Sequence, residues 1–327
     1  MLNGLSRRLL TLLQLTRMAL VFTAIADSYC TALLRMKIFN DPDVLDPRRM
    51  VAIAAMSVGL YGFGMSLNDI ADRRRDSQIA AHRPLPSGRV GVLTAHFISV
   101  LLALGALGAA AIYSQLIGNW WSLAFVVWTG LLISFYDLAG KYLVAPGLLA
   151  LGCIRFFHAL VPAPQVPVLW HPLLLLNHVT ILSTISYYWE EKRPPLTKIH
   201  YWTIGGGLAA IDALVIGFIY SRHRPHGLNI VPGLVVPVAA VVVFIGIAWY
   251  VRRHTTTRRE AGQTIMLYGL LWLIVYDACV VFVYNGLLAA ALLLLLLPAA
   301  YFSVQLMRWW SKLMTLSQKP TFKRVRT

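Results

Sequence analysis

The sequence predicts an all-α protein, a polytopic transmembrane helix bundle of nine or ten spans around a central cavity, and three observations carry that expectation. Of the 327 residues, 58% are hydrophobic and only 13% are charged, with a mean hydropathy of +0.67. That is too apolar for a soluble domain of this size. Apolar runs of about 17 to 25 residues recur along the chain, the length a helix needs to cross a hydrocarbon layer. The basic residues, finally, are unequally shared between the loops that alternating spans would place on opposite faces.

The first run covers 9–34. Arg7 and Arg8 precede it and Ala24-Ile25-Ala26 imitates a cleavage site, yet Gln14 and Arg17 interrupt its apolar core and it continues to Leu34, so it reads as a retained span. Further spans are expected at 50–67, 90–113, 119–137, 143–162, 171–189, 199–220, 228–251, 262–284 and 286–309, with nine in all if one of the last two does not cross. Connections near Gly118, Ala139 and Asn285 are only a few residues long. Trp120-Trp121 and Trp309-Trp310 read as interfacial belts. Cys30, Cys153 and Cys279 lie in or at the ends of apolar runs without ligand-like spacing and read as small buried hydrophobes. His158 and His178 read as satisfied bundle histidines, and Asp27, Asp212 and Asp277 as structural hydrogen-bonding groups.

The formal charge of +16 reads as topology. With both termini cytoplasmic, the opposite face holds Arg35, Lys37, Arg48, Arg49, Arg222 and Arg224, Arg17 and Arg155 fall within spans, and the remaining 21 of the 29 basic residues face the cytoplasm, including a basic tail at 311–327. No contiguous soluble basic patch exists, which argues against nucleic acid as a partner. The N-terminus carries no organelle-type transit pattern, so a bacterial cytoplasmic membrane is the expected home. The sequence holds no sign of an oligomeric state.

Chemistry concentrates at Asn68-Asp69-Ile70-Ala71-Asp72-Arg73-Arg74-Arg75-Asp76. On a helix Asn68, Asp72 and Asp76 fall at i, i+4 and i+8, one above another, with Asp69 flanking them. Like charges so placed repel, and a cluster of oxygen ligands without Cys or His suits Mg²⁺ better than zinc. The loop ends in His82-Arg83-Pro84-Leu85-Pro86-Ser87-Gly88-Arg89. A second polar island, Ser186 to Thr197, follows the sixth span. Four crossings separate the islands, so both emerge on one face.

These residues resemble a known family. Asn68 to Asp76, followed by Arg83-Pro84-Leu85-Pro86-Ser87-Gly88, is similar to the first aspartate-rich motif of the UbiA superfamily of intramembrane prenyltransferases. Tyr136-Asp137 with Lys141, Gly147, Gly152 and Arg155 is similar to its fourth-to-fifth helix region, and the resemblance covers about 10–285 of a single domain at 1–327. The family's second motif, Asp-x-x-x-Asp, is altered. Anchored on Thr197, it places Ser186 at the first Asp and Glu190 at the second, with Glu191 next to it.

The resemblance implies transfer of a polyprenyl group from its diphosphate to a small acceptor, aromatic in the commonest case, with Mg²⁺-assisted loss of diphosphate on the cytoplasmic side of the bilayer. Metal ligands would be Asn68, Asp69, Asp72, Asp76, Glu190 and Glu191. Asn68, Arg73, Arg83, Lys141, Arg155 and Arg17 would bind substrate, and Asp72, Asp76, Lys141 and Tyr136 would act in catalysis, Tyr136 through its ring face. Arg155 has two readings, phosphate contact or pairing with Asp137 or another helix. The altered second motif keeps an alternative open, a catalytically reduced membrane carrier or lipid-binding protein on the same bundle. Against alternating access, Gly205-Gly206-Gly207 has no counterpart elsewhere in the chain.

Overall fold

The computed structural model describes residues 4–81, 83–222 and 234–316. His82, Arg224 and the part of the basic tail from 317 onward lie outside the described residues. Among those described the chain is helical and contains no strand, as the composition requires of a polypeptide that must satisfy its backbone within lipid.

The first apolar run is not one helix. A short helix α1 (Gly4–Leu15) ends before Arg17, which adopts a left-handed backbone with φ of 46°. A 3₁₀ turn and α2 (Val21–Phe39) follow, giving a crossing at Met18–Phe39. Sequence reasoning placed Arg17 inside a span. The guanidinium cannot stay in hydrocarbon unpaired, and the break lets it reach Asp69 with Nη2 3.0 Å from Oδ1, while its own carbonyl accepts a hydrogen bond from the Tyr61 hydroxyl at 3.2 Å.

At the far end Asn40 closes α2 in the left-handed region. Asp46 then caps α3 (Pro47–Ala71), accepting from the Arg48 amide at 2.9 Å; its hydrogen bonds to Arg48 hold the carboxyl below its ordinary range. The arginines of this face find acids nearby. Arg35 Nε and Arg49 Nη1 lie 3.0 and 3.2 Å from Asp41, and Arg48 Nη2 lies 3.0 Å from Asp46.

The succeeding elements are α4 (Arg73–Ile79), α5 (Val92–Ile117), α6 (Trp121–Leu138), α7 (Ala145–Leu160), α8 (Trp170–Trp189), α9 (Lys198–Arg222), α10 (Val235–His254), α11 (Arg258–Asn285), α12 (Leu287–Leu294) and α13 (Leu296–Leu316). Eight described helices are long and apolar enough to cross a membrane, the last formed by α12 and α13 together. The two remaining expected spans correspond to α7 and to α8, the latter carrying more polar residues. With 16 residues α7 extends only about 24 Å at 1.5 Å per residue. Its chain continues into a buried loop through Val161, Ala163, Val166 and Val168.

Position in the bundle follows from what each helix exposes. The crossings of α2, α3 and α11 are 56%, 50% and 56% buried, whereas that of α9 is 6% buried. α2 packs on α3, α7 and α11, and α11 also on α8 and α10. α5, α6, α9 and α10 turn Leu101, Leu104, Leu131, Leu214 and Val242 outward, surface that water would not tolerate and lipid does. Trp120, Trp121 and Trp309 are exposed as interfacial residues should be; Trp310 is buried and belongs to the interior instead. α9 runs unbroken through Gly205-Gly206-Gly207.

Candidate active site

The acid motif forms at the end of α3. Asp72 caps that helix, but its amide still donates to Asn68 O at 2.9 Å and the Asp76 amide to Asp72 O at 2.8 Å, so the helical register continues into α4. Asn68, Asp72 and Asp76 therefore follow at one-turn intervals along the backbone, while the side chains divide: Asn68 and Asp72 meet Asp137 and Lys141, and Asp69 and Asp76 share Arg83. Asp69 and Asp76 are buried, and Arg73, Arg74 and Arg75 are exposed on the outer face of α4.

Each buried acid meets a base from another segment. Arg17 pairs with Asp69, and Arg83 donates from Nη1 to Asp76 Oδ2 while standing 3.9 Å from Asp69. The Arg83 to Gly88 run makes this possible by closing on itself, with the Ser87 amide donating to Arg83 O at 3.0 Å and Gly88 turning at φ of 71°. Leu85 and Val90 anchor the turn against Leu15 and Ala95, and Arg89 Nη1 donates to Gln14 Oε1 at 3.0 Å. α1 is thereby docked onto the same loop.

Lys141 comes from the 3₁₀ turn after α6 (Gly140–Tyr142). Its Nζ lies 2.9 Å from Asp72 Oδ1 and 3.9 Å from Asp137 Oδ1, yet this buried ammonium meets no acceptor at hydrogen-bonding angles. The turn sits so close to α7 that a Cβ on Gly147 would lie 2.5 Å from Gly140 O; only glycine fits there. Tyr136 is half-buried and within electrostatic reach of Asp72, Asp137 and Arg17.

Asp137, which the sequence offered only within the resemblance and as a partner for Arg155, stands at the motif instead. It accepts from Asn68 Nδ2 at 2.7 Å. That hydrogen bond commits the amide nitrogen to α6 and leaves the Asn68 carbonyl oxygen for a ligand. Its adjacency to Tyr136 was the available signal; its partner, 69 residues away, was not readable.

The second island emerges at the same end of the bundle. Arg75 lies within electrostatic reach of Tyr187. Glu190, however, is occupied locally, accepting from Ser186 Oγ at 2.7 Å and standing 3.2 Å from Lys192 Nζ. A Cβ on Gly262 of α11 would fall 2.7 Å from Glu190 Cγ, so that glycine admits the side chain. Glu191 is exposed with φ of 52°, and no ion pair among the described residues engages it.

Arg155 is not brought to the motif and does not pair with Asp137. Its Nη1 lies 2.8 Å from Asp27 Oδ2, and Nη2 donates to Thr23. Asp212 accepts from Asn177 at 2.7 Å and His178 Nε2 lies 3.0 Å from Gly269 O, as expected, whereas neither ring nitrogen of His158 has a hydrogen-bond partner, so that histidine is not the satisfied one the sequence suggested. A cavity of about 540 Å³ opens at the opposite end of the bundle between Phe39, Trp121, Phe125, Gln165 and Phe218, away from the acids.

The donor set at the motif fits Mg²⁺. It is made of oxygens alone, the ligand type that ion takes, and in this structure Arg17, Lys141 and Arg83 stand against Asp69, Asp72 and Asp76 in its place. The incompletely satisfied Lys141 ammonium fits an anionic group beside it.

Comparison with known proteins agrees with this geometry. A family model described as the UbiA prenyltransferase family matches residues 30–261. No curated protein matches the chain. A solved structure described as giving structural and mechanistic insights into the biosynthesis of digeranylgeranylglyceryl phosphate synthase in membranes covers 86% of this chain and 99% of its own, at 18% identity and a TM-score of 0.57, a likeness of fold. Because the family match spans well over half of a chain built from membrane-crossing helices, this is a multi-pass membrane protein that belongs to the UbiA prenyltransferase family.

Proposed function

We propose that the chain transfers a polyprenyl group from a polyprenyl diphosphate to a small acceptor, aromatic by preference, at the cytoplasmic face of a bacterial cell membrane. The observation that carries the reading is the one-turn series of Asn68, Asp72 and Asp76 beside a buried, incompletely bonded Lys141. Asn68, Asp69, Asp72 and Asp76 would hold Mg²⁺. When bound, the ion supplies positive charge to the oxygens of the departing diphosphate.

The chain's own residues do the rest. Breaking the allylic C–O bond moves an electron pair onto diphosphate and leaves the hydrocarbon cationic. Lys141 and Arg83 sit where they neutralise the anion, and Arg73 on the exposed face of α4 meets the diphosphate as it arrives. Preorganised charge lowers the barrier most where water is excluded, each 1.4 kcal/mol being about tenfold in rate. Tyr136 offers its ring face to the cation. Apolar side chains of the spans shield that cation from water.

Purified protein incubated with prenyl diphosphates of several lengths and a panel of acceptors tests the proposal. Mg²⁺-dependent diphosphate release and a lipid-soluble product, both lost in Asp72→Ala, are expected. One observation favours a second reading, a carrier or lipid-binding role: Glu190 is tied to Ser186 and Lys192. Lipid transport without diphosphate release from any donor would select it.

A further inference from the structure

A second polar cluster lies within the bundle, outside the acid motif. It is built from Asp27 and Cys30 of α2, Arg155 and His158 of α7, His171 of α8 and Asp277 of α11. Asp27, Cys30, His171 and Asp277 have no exposed surface. His171 Nε2 lies 2.7 Å from Asp277 Oδ1, Cys30 Sγ lies 3.7 Å from the same nitrogen, and the thiol donates to the Asp277 carbonyl at 3.6 Å. The ligand atoms of Cys30, His171 and Asp277 all fall within 4.8 Å of one another. Several polar atoms here have no hydrogen-bond partner: Asp27 Oδ1, Asp277 Oδ2, His171 Nδ1 and both ring nitrogens of His158. Such atoms are costly in a dry interior, and intramembrane ionisable groups default to function.

We infer that Cys30, His171 and Asp277, with Asp27 beside them, form a closed site for a zinc-class divalent ion. The donors are sulfur, imidazole nitrogen and carboxylate oxygen, the mixture that zinc accepts and magnesium avoids. Zinc bonds of about 2.3 Å to sulfur and 2.0 Å to nitrogen, opened to the tetrahedral angle, separate those two atoms by about 3.5 Å. The observed separation is 3.7 Å. Asp277 Oδ2 supplies the third ligand and Asp27 Oδ1 the fourth; the two carboxyls lie within hydrogen-bonding reach of one another.

Charge balance supports the same occupant. Two carboxyls face one fixed cation, Arg155, so one proton must reside in the cluster to leave it neutral. Two contacts can hold it, Asp277 Oδ1 with His171 Nε2 and the Asp27 carboxyl with that of Asp277. A divalent ion would displace it together with the thiol proton of Cys30: two protons leave, two positive charges enter, and the interior gains no net charge. The ligands come from three helices that pack together, α2 and α8 each against α11, so the ion would tie the centre of the bundle.

The test uses full-length protein in detergent, stripped with chelator and titrated with Co²⁺ alone. Expected are near-ultraviolet thiolate-to-cobalt absorption that saturates at about one ion per chain and about two protons released with that ion, apart from any Co²⁺ taken up by the oxygen ligands of the acid motif. Cys30→Ser should abolish that absorption, Asp277→Asn should shift its half-saturation at least about tenfold, and Asp72→Ala should leave the absorption and its half-saturation unchanged. No Co²⁺ uptake by folded wild-type protein would overturn the assignment, as would absorption that survives Cys30→Ser or binding lost only in Asp72→Ala.

Discussion

Removing Asp137 should weaken Mg²⁺ binding although Asp137 need not touch the ion. Its Oδ1 accepts the Asn68 amide at 2.7 Å and stands 3.9 Å from Lys141 Nζ. A hydrogen bond to a charged group contributes roughly 1.5 to 3 kcal/mol, so Asp137→Ala should raise the Mg²⁺ concentration needed for half-maximal activity by about 10- to 150-fold at 1.4 kcal/mol per decade. Asp137→Asn keeps a neutral acceptor for Asn68 and should cost less, about tenfold. Both changes also leave Lys141 to Asp72 alone, which opposes metal binding further. The assay is diphosphate release as a function of Mg²⁺. A double-mutant cycle with Asn68→Ala isolates the route: Asp137→Ala should add little once the amide it orients is gone. Wild-type Mg²⁺ dependence in Asp137→Ala, or full additivity with Asn68→Ala, would refute the reasoning.

Other outcomes follow from neighbouring contacts. Glu190→Gln should lower diphosphate release less than about tenfold, because Ser186 and Lys192 already occupy that carboxylate, while Asp72→Ala should lower it at least about a hundredfold; equal losses in steady-state rates would restore the second motif to full standing. Arg155→Met leaves Asp27 without its 2.8 Å partner and should destabilise the fold by about 3 to 5 kcal/mol, read as denaturant unfolding in detergent, with part of the loss recovered by Asp27→Asn. Gly147→Ala drives a Cβ to 2.5 Å from the Gly140 carbonyl and should cost about 1 to 3 kcal/mol. Its effect on turnover should exceed its effect on unfolding, because the turn that must move carries Lys141; turnover unchanged in a folded variant would separate the two.

The crossings and the acid series were legible because both are periodic: apolar length gives the first, and an i, i+4 spacing of Asn68, Asp72 and Asp76 gives the second. Arg17 was misplaced because an apolar run carries no mark of a backbone break. What breaks it is a carboxylate 52 residues away. Arg155 was readable as a phosphate contact or as the partner of Asp137 or of another helix; the last is what it is, and its partner Asp27 lies 128 positions upstream. His171 drew no notice, since its meaning depends on Cys30 and Asp277, 141 and 106 positions distant. Local spacing encodes helices and the polar groups that share one. Pairings between helices are fixed only when the bundle closes.

The aspartates that face Arg35, Arg48 and Arg49 at the far end have a bearing on how the chain enters its membrane. Four basic groups there, Arg35, Lys37, Arg48 and Arg49, stand against Asp41, Asp43 and Asp46, leaving a single excess positive charge on that hairpin. Work against a membrane potential is about 2.3 kcal/mol per charge per 100 mV. Four unbalanced charges would therefore meet roughly 9 kcal/mol of electrical resistance on export, and the acids reduce this to about a quarter. With both termini cytoplasmic, the orientation expected from the basic residues, that hairpin would cross nearly as a neutral body.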